Sequence, residues 1–399
     1  MKTEEGGSNV SIAGSLPIDF QTTPVTLVEV VSLADEFNVS FPAIRGVQAG
    51  REYYVAMCPL ETVIKLIRLD SDNSNRVPAN FRAQRILNKA RIPAISRYMV
   101  KNPDTYAFSS LTISVDSKVT FTPTSKSGPA SKLGILTIPL EATFLINDGQ
   151  HRRAAIEDAV KECPKLRFES ISVVIYIDRG LKRSQQLFSD LNRYVVRPTP
   201  SLSILYDHRD PMARVVHNVV ESVTVFRGMT ETAKSTISNR SRKLFTLSSI
   251  YHATRELIDV GEDGAISEQA EQLVIEFWNE AAKNMRDWRL AASGGVAPCE
   301  LRRDFVHAHG IALRALSRVG VDLLGRSPRG WKTRLRGLQK IDWSRSKAKV
   351  WEGRAMIGGK ISKAHNNIVL TGNLIKKALG VPLNPKEEQV EMLYTRGKI

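Results

Sequence analysis

A mixed α/β core followed by a mainly helical, basic C-terminal part is the fold class that the sequence predicts, on three observations. Between residues 110 and 197 the pattern runs strands, helix, strand, helix. After Pro200 apolar residues recur at helical spacing as far as Val321. From Arg326 to Lys363 twelve cations face two acids, Asp342 and Glu352, with Trp331, Trp343 and Trp351 interleaved. The expected organisation is a flexible lead over 1–20, an α/β domain over 21–200, a helical domain over 201–325 and a basic region over 326–399.

In chain order, the apolar runs "TPVTLVEVVSL", "REYYVAMCPL" and "ETVIKLIRL" between Val25 and Leu69 read as strands broken by Gly and Pro. Arg82 to Pro103 places Ile86, Leu87 and Ala90, then Ile92, Ile95, Tyr98 and Met99, at helical spacing, and Pro93 suits the first turn of the second of two short helices. Leu111, Ile113 and Val115 alternate ahead of Val119 and Phe121, which predicts a hairpin. "ILTIPLEATFLINDG" is strand-like. "SISVVIYID", Ser170 to Asp178, is continuous enough to be a strand buried on both faces. Leu181, Gln185, Phe188, Leu191 and Val195 then share one helical face, and the apolar stretches from Ser201 to Leu324 read as further helices, "HAH" at 307 to 309 included.

Composition narrows the partners. The 399 residues, 42% of them hydrophobic, suffice for two or three domains. Lys plus Arg total 57 against 41 Asp plus Glu, and a net charge of +16 favours a polyanion, with double-stranded DNA as the expected partner and no membrane. Runs of roughly 18 apolar residues and a basic-then-apolar leader are both missing, which makes the membrane option weak. Cys58, Cys163 and Cys299 are widely spaced, without a CxxC pair, and read as ordinary thiols, so a reducing, cytoplasmic location is expected.

The densest polar cluster lies in "FLINDGQHRRAAIEDA", Phe144 to Ala159, where an apolar strand turns into a helix. Such a turn leaves backbone N–H groups unpaired and directs the positive end of a helix dipole outward, which suits an anion. Arg152 and Arg153 add guanidinium forks matched to phosphate oxygens. The competing reading is structural, with either arginine paired to Asp148 or a neighbouring acid. Asp190, Asn192 and Arg193 on the next helix are weaker candidates to line the same pocket across a parallel βαβ unit, or a plain solvated face. His208, His217, His252, His307, His309 and His365 lie apart from one another or on different helix faces, and no metal ligands are assigned.

Two tracts carry the candidate DNA contacts. Arg240, Arg242 and Lys243 close a Ser/Thr-rich stretch, where hydroxyls and cations suit phosphates and a capped polar loop explains much as well. Arg329, Lys332, Arg334, Arg336, Lys340, Arg345, Lys347 and Lys349 form the stronger tract, with tryptophans that either stack on bases or brace it against a core.

"INDGQHRRAAI" resembles the signature of the DGQHR-domain family. With "AQRILNKARIPAISRYMVKNP", "QLFSDLNRYVVRPTPSLSILYDHRDPMAR" and "SRKLFTLSSI" around it, the stretch from about Gln84 to Tyr251 resembles the DndB family of DNA sulfur modification proteins. That resemblance implies a DNA-binding transcriptional regulator of the genes for DNA phosphorothioation, in a bacterial modification and phage-defence setting, with other DNA sulfur modification proteins as partners. More distantly, Gly149, Gln150, His151, Arg152 and Arg153 are similar to the motif of the ParB and sulfiredoxin-like fold, which cradles a nucleoside triphosphate. This places Asp148, Gly149, Gln150, His151 and Arg152 in a phosphate pocket, and leaves ATP or another triphosphate with magnesium as an open cofactor. The alternative function is a nucleoside triphosphatase or DNA-nicking enzyme with Asp148 and His151 catalytic; no Walker loop is present, so P-loop mechanics are excluded.

Overall fold

Alternating apolar residues build the first of two compact units, Met1–Val195 and Val196–Ile399. The computed structural model describes residues 38–67, 88–181, 183–193, 198–258, 265–326 and 329–397. The expected strand at "TPVTLVEVVSL" lies outside these residues, as does the first of the two expected short helices up to Leu87, while its end at Lys89–Arg91 is a 3-10 turn. The first unit carries β1 (Asn38–Gln48), β2 (Arg51–Pro59), α1 (Leu60–Leu66), α2 (Ile92–Lys101), β3 (Leu111–Asp116), β4 (Thr120–Pro123), β5 (Leu133–Pro139), β6 (Thr143–Asp148), α3 (Gln150–Glu162), β7 (Ser170–Ile177) and α4 (Ser184–Arg193).

One sheet holds all seven strands in the order β4-β5-β1-β2-β7-β3-β6. Strand β3 runs parallel to β7 and antiparallel to β6, so β6, α3 and β7 do not form the expected parallel βαβ unit. The expected hairpin of β3 with β4 is also absent, because β4 pairs with β5 at the far edge. Only Ser117, Lys118 and Val119 link β3 to β4. A flat sheet would separate these strands by about 24 Å and the link spans at most about 15 Å, so the sheet curls into a trough.

The concave core gathers Phe41, Tyr54, Leu136, Ile146 and Val173 with Ile156 and Ala159 of α3 and Leu60 and Val63 of α1. "ETVIKL" is therefore helix and not strand: Leu60, Val63 and Ile67 are buried at helical spacing, and tertiary burial overrides the β-branched residues between them. Pro93 stands in the first turn of α2, as its sequence predicts. Strand β7 buries Ile171, Val173 and Ile175 on one face and leaves the other half-buried, short of the two-sided burial expected. On that second face Ile44, Met57, Leu133 and Ile135 are exposed.

The second unit is helical, with α5 (Pro211–Ser222), α6 (Leu247–Leu257), α7 (Glu268–Lys283), α8 (Gly310–Arg326), α9 (His365–Leu379) and α10 (Pro385–Thr395), and shorter helical turns between them. The helix expected through "HAH" breaks at 305–309, where a 3-10 turn, Val306–Ala308, precedes α8. One core runs from Met212 to Val381 and includes Trp331, Trp343 and Trp351 of the basic tract. Lys376 of α9 is buried between Asp322 of α8 and Glu387 of α10, 2.6 Å from the Glu387 carboxylate. Glu387 also completes a capping box with Asn384, so one carboxylate starts a helix and neutralises a buried ammonium.

Candidate functional site

Strand β6 delivers the DGQHR turn through an irregularity of its pairing with β3. Ile113 faces Ile146 and Thr112 faces Asp148, which leaves Asn147 as the extra residue of a bulge, its Nδ2 donating to Ser114 Oγ at 2.7 Å. Gly149 follows at φ +99°, in the left-handed region that glycine adopts freely. A Cβ there would fall 2.5 Å from Leu111 Cδ2 and 3.1 Å from the Arg152 guanidinium. The glycine thus both reverses the chain and makes room for an arginine to fold back over it.

Arg152 takes up that room. Its Nη2 donates to Asp148 Oδ2 at 2.6 Å and its Nη1 to the Ser109 carbonyl at 2.8 Å and to Ser109 Oγ. Arg153 points the other way and is 3% exposed. Its Nε and Nη2 donate to the carbonyls of Ile67 and Ile64, each at 2.6 Å, and its Nη1 pairs with Glu157. Those carbonyls end α1, so Arg153 caps that helix from α3.

His151 accepts at Nε2 a hydrogen bond from the Asn88 backbone N–H, 3.2 Å long. Burial, seconded by the Arg91 charge, lowers its pKa below the usual histidine value, so at neutral pH the ring is uncharged with its proton on Nδ1. The α3 start has no side-chain cap and no acid in its first turn. Its partly exposed elements are Gln150, His151 and the oriented Arg152, a set that can receive a phosphate at a helix N-terminus. Of the weaker candidates, Asp190 bonds to Gln186 and Asn192 to the Phe188 carbonyl, both inside α4. Leu181, ahead of α4, packs on Leu145, which alternates with Phe144 and Ile146 and so lies on the sheet face opposite α3. Arg193 is the last-turn cation of α4.

In the second unit the basic tract divides by direction. Trp331, Leu335, Leu338, Trp343 and Trp351 are buried, while Arg329, Arg334, Arg336, Lys340, Lys347 and Lys349 are exposed. The tryptophans brace the tract and present no face to bases. Lys332 pairs with Glu276, Lys347 reaches Asp342 at 3.8 Å, and Arg334 donates to the Gly380 carbonyl at 2.7 Å. Arg240 and Arg242 are exposed on a loop, and Lys243 donates to the Gly228 carbonyl. Arg302 holds this loop by its carbonyls at Ser238, Ser241 and Lys243, and Arg345 donates to the Arg303 and Gly359 carbonyls. Among the described residues no group of three or more His, Cys, Asp or Glu side chains converges as a metal site, and no helix is long and apolar enough to cross a membrane.

A family model described as DndB, DNA-sulfur modification-associated, matches residues 41–382. The chain belongs to the DndB family. Membership ties it to DNA sulfur modification and extends the likeness well beyond the stretch ending near Tyr251. No curated protein and no solved structure matches the chain, so the likeness of the turn to the ParB and sulfiredoxin-like fold rests on its motif alone. In this DndB-family chain sequence reasoning missed Asn88, Arg91, Ser109 and Arg302. Arg302 sits in "ELRRDF", where nothing in one dimension separates a buried arginine from the exposed one beside it.

Proposed function

We propose that this DndB-family protein serves DNA sulfur modification as a DNA-binding transcriptional regulator that grips duplex backbone through its second unit. The observation that carries the reading is the division of the basic tract, with tryptophans inward and Arg329, Arg336, Lys340 and Lys349 outward. Exposed guanidinium and ammonium groups on a packed support neutralise phosphates without the further cost of ordering the backbone that carries them. A second reading, that a nucleoside triphosphate at the DGQHR turn gates DNA binding or is hydrolysed there, is favoured by the uncapped helix start beside Arg152. Other modification proteins are the natural protein partners for such a regulator.

Both readings meet in one experiment, duplex binding across a salt series with and without ATP and magnesium. Arg336→Ala with Lys340→Ala is expected to weaken binding and to reduce the slope of log K against log salt by about 0.9 for each phosphate that is no longer neutralised. An unchanged slope removes these cations from the DNA surface. An ATP effect that disappears in Arg152→Ala supports gating through the turn, and indifference to both leaves a plain DNA-binding regulator.

A further inference from the structure

A concave pocket of about 560 Å³ opens within the second unit, where the Ser/Thr-rich loop meets the start of α8 and the basic tract. Its size is that of small-molecule sites, several times what an inorganic anion fills. Arg302, Arg303, Arg345 and Lys363 line it, and among the described lining residues Glu300 is the one acid. Arg303 is turned to Asp304 at 2.8 Å. The other three cations form no ion pair among the described residues.

Arg302 is the telling group. It is 9% exposed, yet its guanidinium meets only the carbonyls of the 238–243 loop. A buried cation satisfied by dipoles alone keeps its charge uncompensated, and an anion entering the pocket would relieve that cost. Arg345 is held in the same way by carbonyls of two other segments. Both guanidiniums are therefore fixed in place with N–H donors to spare.

His309 completes the wall. Burial brings its pKa down to about 4, and the charges of Arg345, Lys363 and Arg302 act in the same direction. The neutral ring donates from Nε2 to the Arg302 carbonyl at 2.8 Å, which leaves Nδ1 as an acceptor. Ile237 and Cys299, both half-buried, give the pocket its apolar part in front of the core residues Leu244, Phe245 and Ala308, and Thr246 and Ser249 supply hydroxyls. Cations, an apolar part, hydroxyls and the His309 acceptor in one pocket match a phosphate chain attached to a heterocycle.

We infer that this pocket binds a mononucleotide, its phosphates against Arg302, Arg345 and Lys363 and its base toward Ile237 and Cys299. The site is built from residues of the second unit, whereas the DGQHR turn is built from residues of the first. The test is calorimetric titration of the full chain with ATP, with inorganic phosphate and with a short duplex. Lys363 is exposed and holds no part of the fold, so Lys363→Gln is expected to fold and to weaken ATP binding about tenfold, while Lys363→Arg restores it. Arg152→Ala should leave ATP affinity at this site unchanged, and Lys363→Gln should leave duplex affinity within about twofold. ATP binding lost in Arg152→Ala and intact in Lys363→Gln would move the nucleotide to the turn and overturn the inference. So would inorganic phosphate binding as tightly as ATP, no ATP binding at all, or a loss of duplex affinity alone in Lys363→Gln, which would assign the pocket to backbone phosphate.

Discussion

Gly149 answers to two constraints at once, a left-handed backbone and the approach of Leu111 and Arg152 to its Cα. Gly149→Ala is expected to destabilise the chain by about 1–3 kcal/mol, from the conformational penalty and the clash with Leu111 together. Urea unfolding at an unchanged m-value measures it. A midpoint equal to that of the native chain would show that the turn relaxes to accept a methyl group. The neighbouring arginines divide the work that the motif presents as a pair. Arg152 stays at the surface of the turn, oriented by Asp148, and Arg153 serves the fold. Both readings weighed for the pair at the sequence level, phosphate fork and structural pairing, are thus open to Arg152, whereas the carbonyls of Ile64 and Ile67 engage Arg153.

At the scale of elements, Arg153 joins α3 to the end of α1. Replacing it with Met leaves two helix-terminal carbonyls without a donor, and a loss of about 2–4 kcal/mol is expected. Hydrogen exchange should show faster opening of α1 and α3 together; faster exchange in α3 alone would mean that the cap is dispensable. The elements that the sequence showed clearly are those with local signals. Helices α2, α5 and α6 carry Pro starts or Ser/Thr and Asp caps beside periodic apolar residues, and β2 and β5 alternate cleanly. What stayed illegible was set at long range. "ETVIKL" is helical because its Leu60, Val63 and Ile67 meet the sheet, and β4 leaves β3 for β5 because the trough brings a distant edge within reach of a short link. The interleaving of cations and tryptophans in the basic tract could be counted, but which of them face inward could not, and Arg302 and the pocket around it depend on a loop some sixty residues away in sequence.

For the whole molecule the buried histidines set the acid limit. Burial lowers the pKa of His307 and brings His309 to about 4, below the unfolded value near 6.5, so the unfolded chain binds more protons through that interval. Stability is therefore full above about pH 6.5 and falls as pH drops toward 4. Glu391 continues the decline: burial tends to raise its carboxyl, but Arg354, Lys377 and Asn373 outweigh that and hold it at about 2. Its contribution is present above the ordinary carboxylate pKa and is lost as pH falls toward 2. Thermal midpoints between pH 7 and 4 check this, and His309→Gln should flatten the upper part of the curve; an identical slope would assign the acid sensitivity elsewhere.

All five tryptophans, Trp278, Trp288, Trp331, Trp343 and Trp351, belong to the second unit, and each is buried in its single core. Intrinsic indole fluorescence is consequently a private reporter. Its emission should be blue-shifted and shielded from acrylamide in the native chain, and its red shift on denaturation follows the loss of the helical unit alone. The seven-stranded sheet is silent at that wavelength, and its tyrosines report together with Tyr206, Tyr251 and Tyr394 of the second unit, so a tyrosine transition that departs from the indole one marks the separate melting of the unit that carries the DGQHR turn.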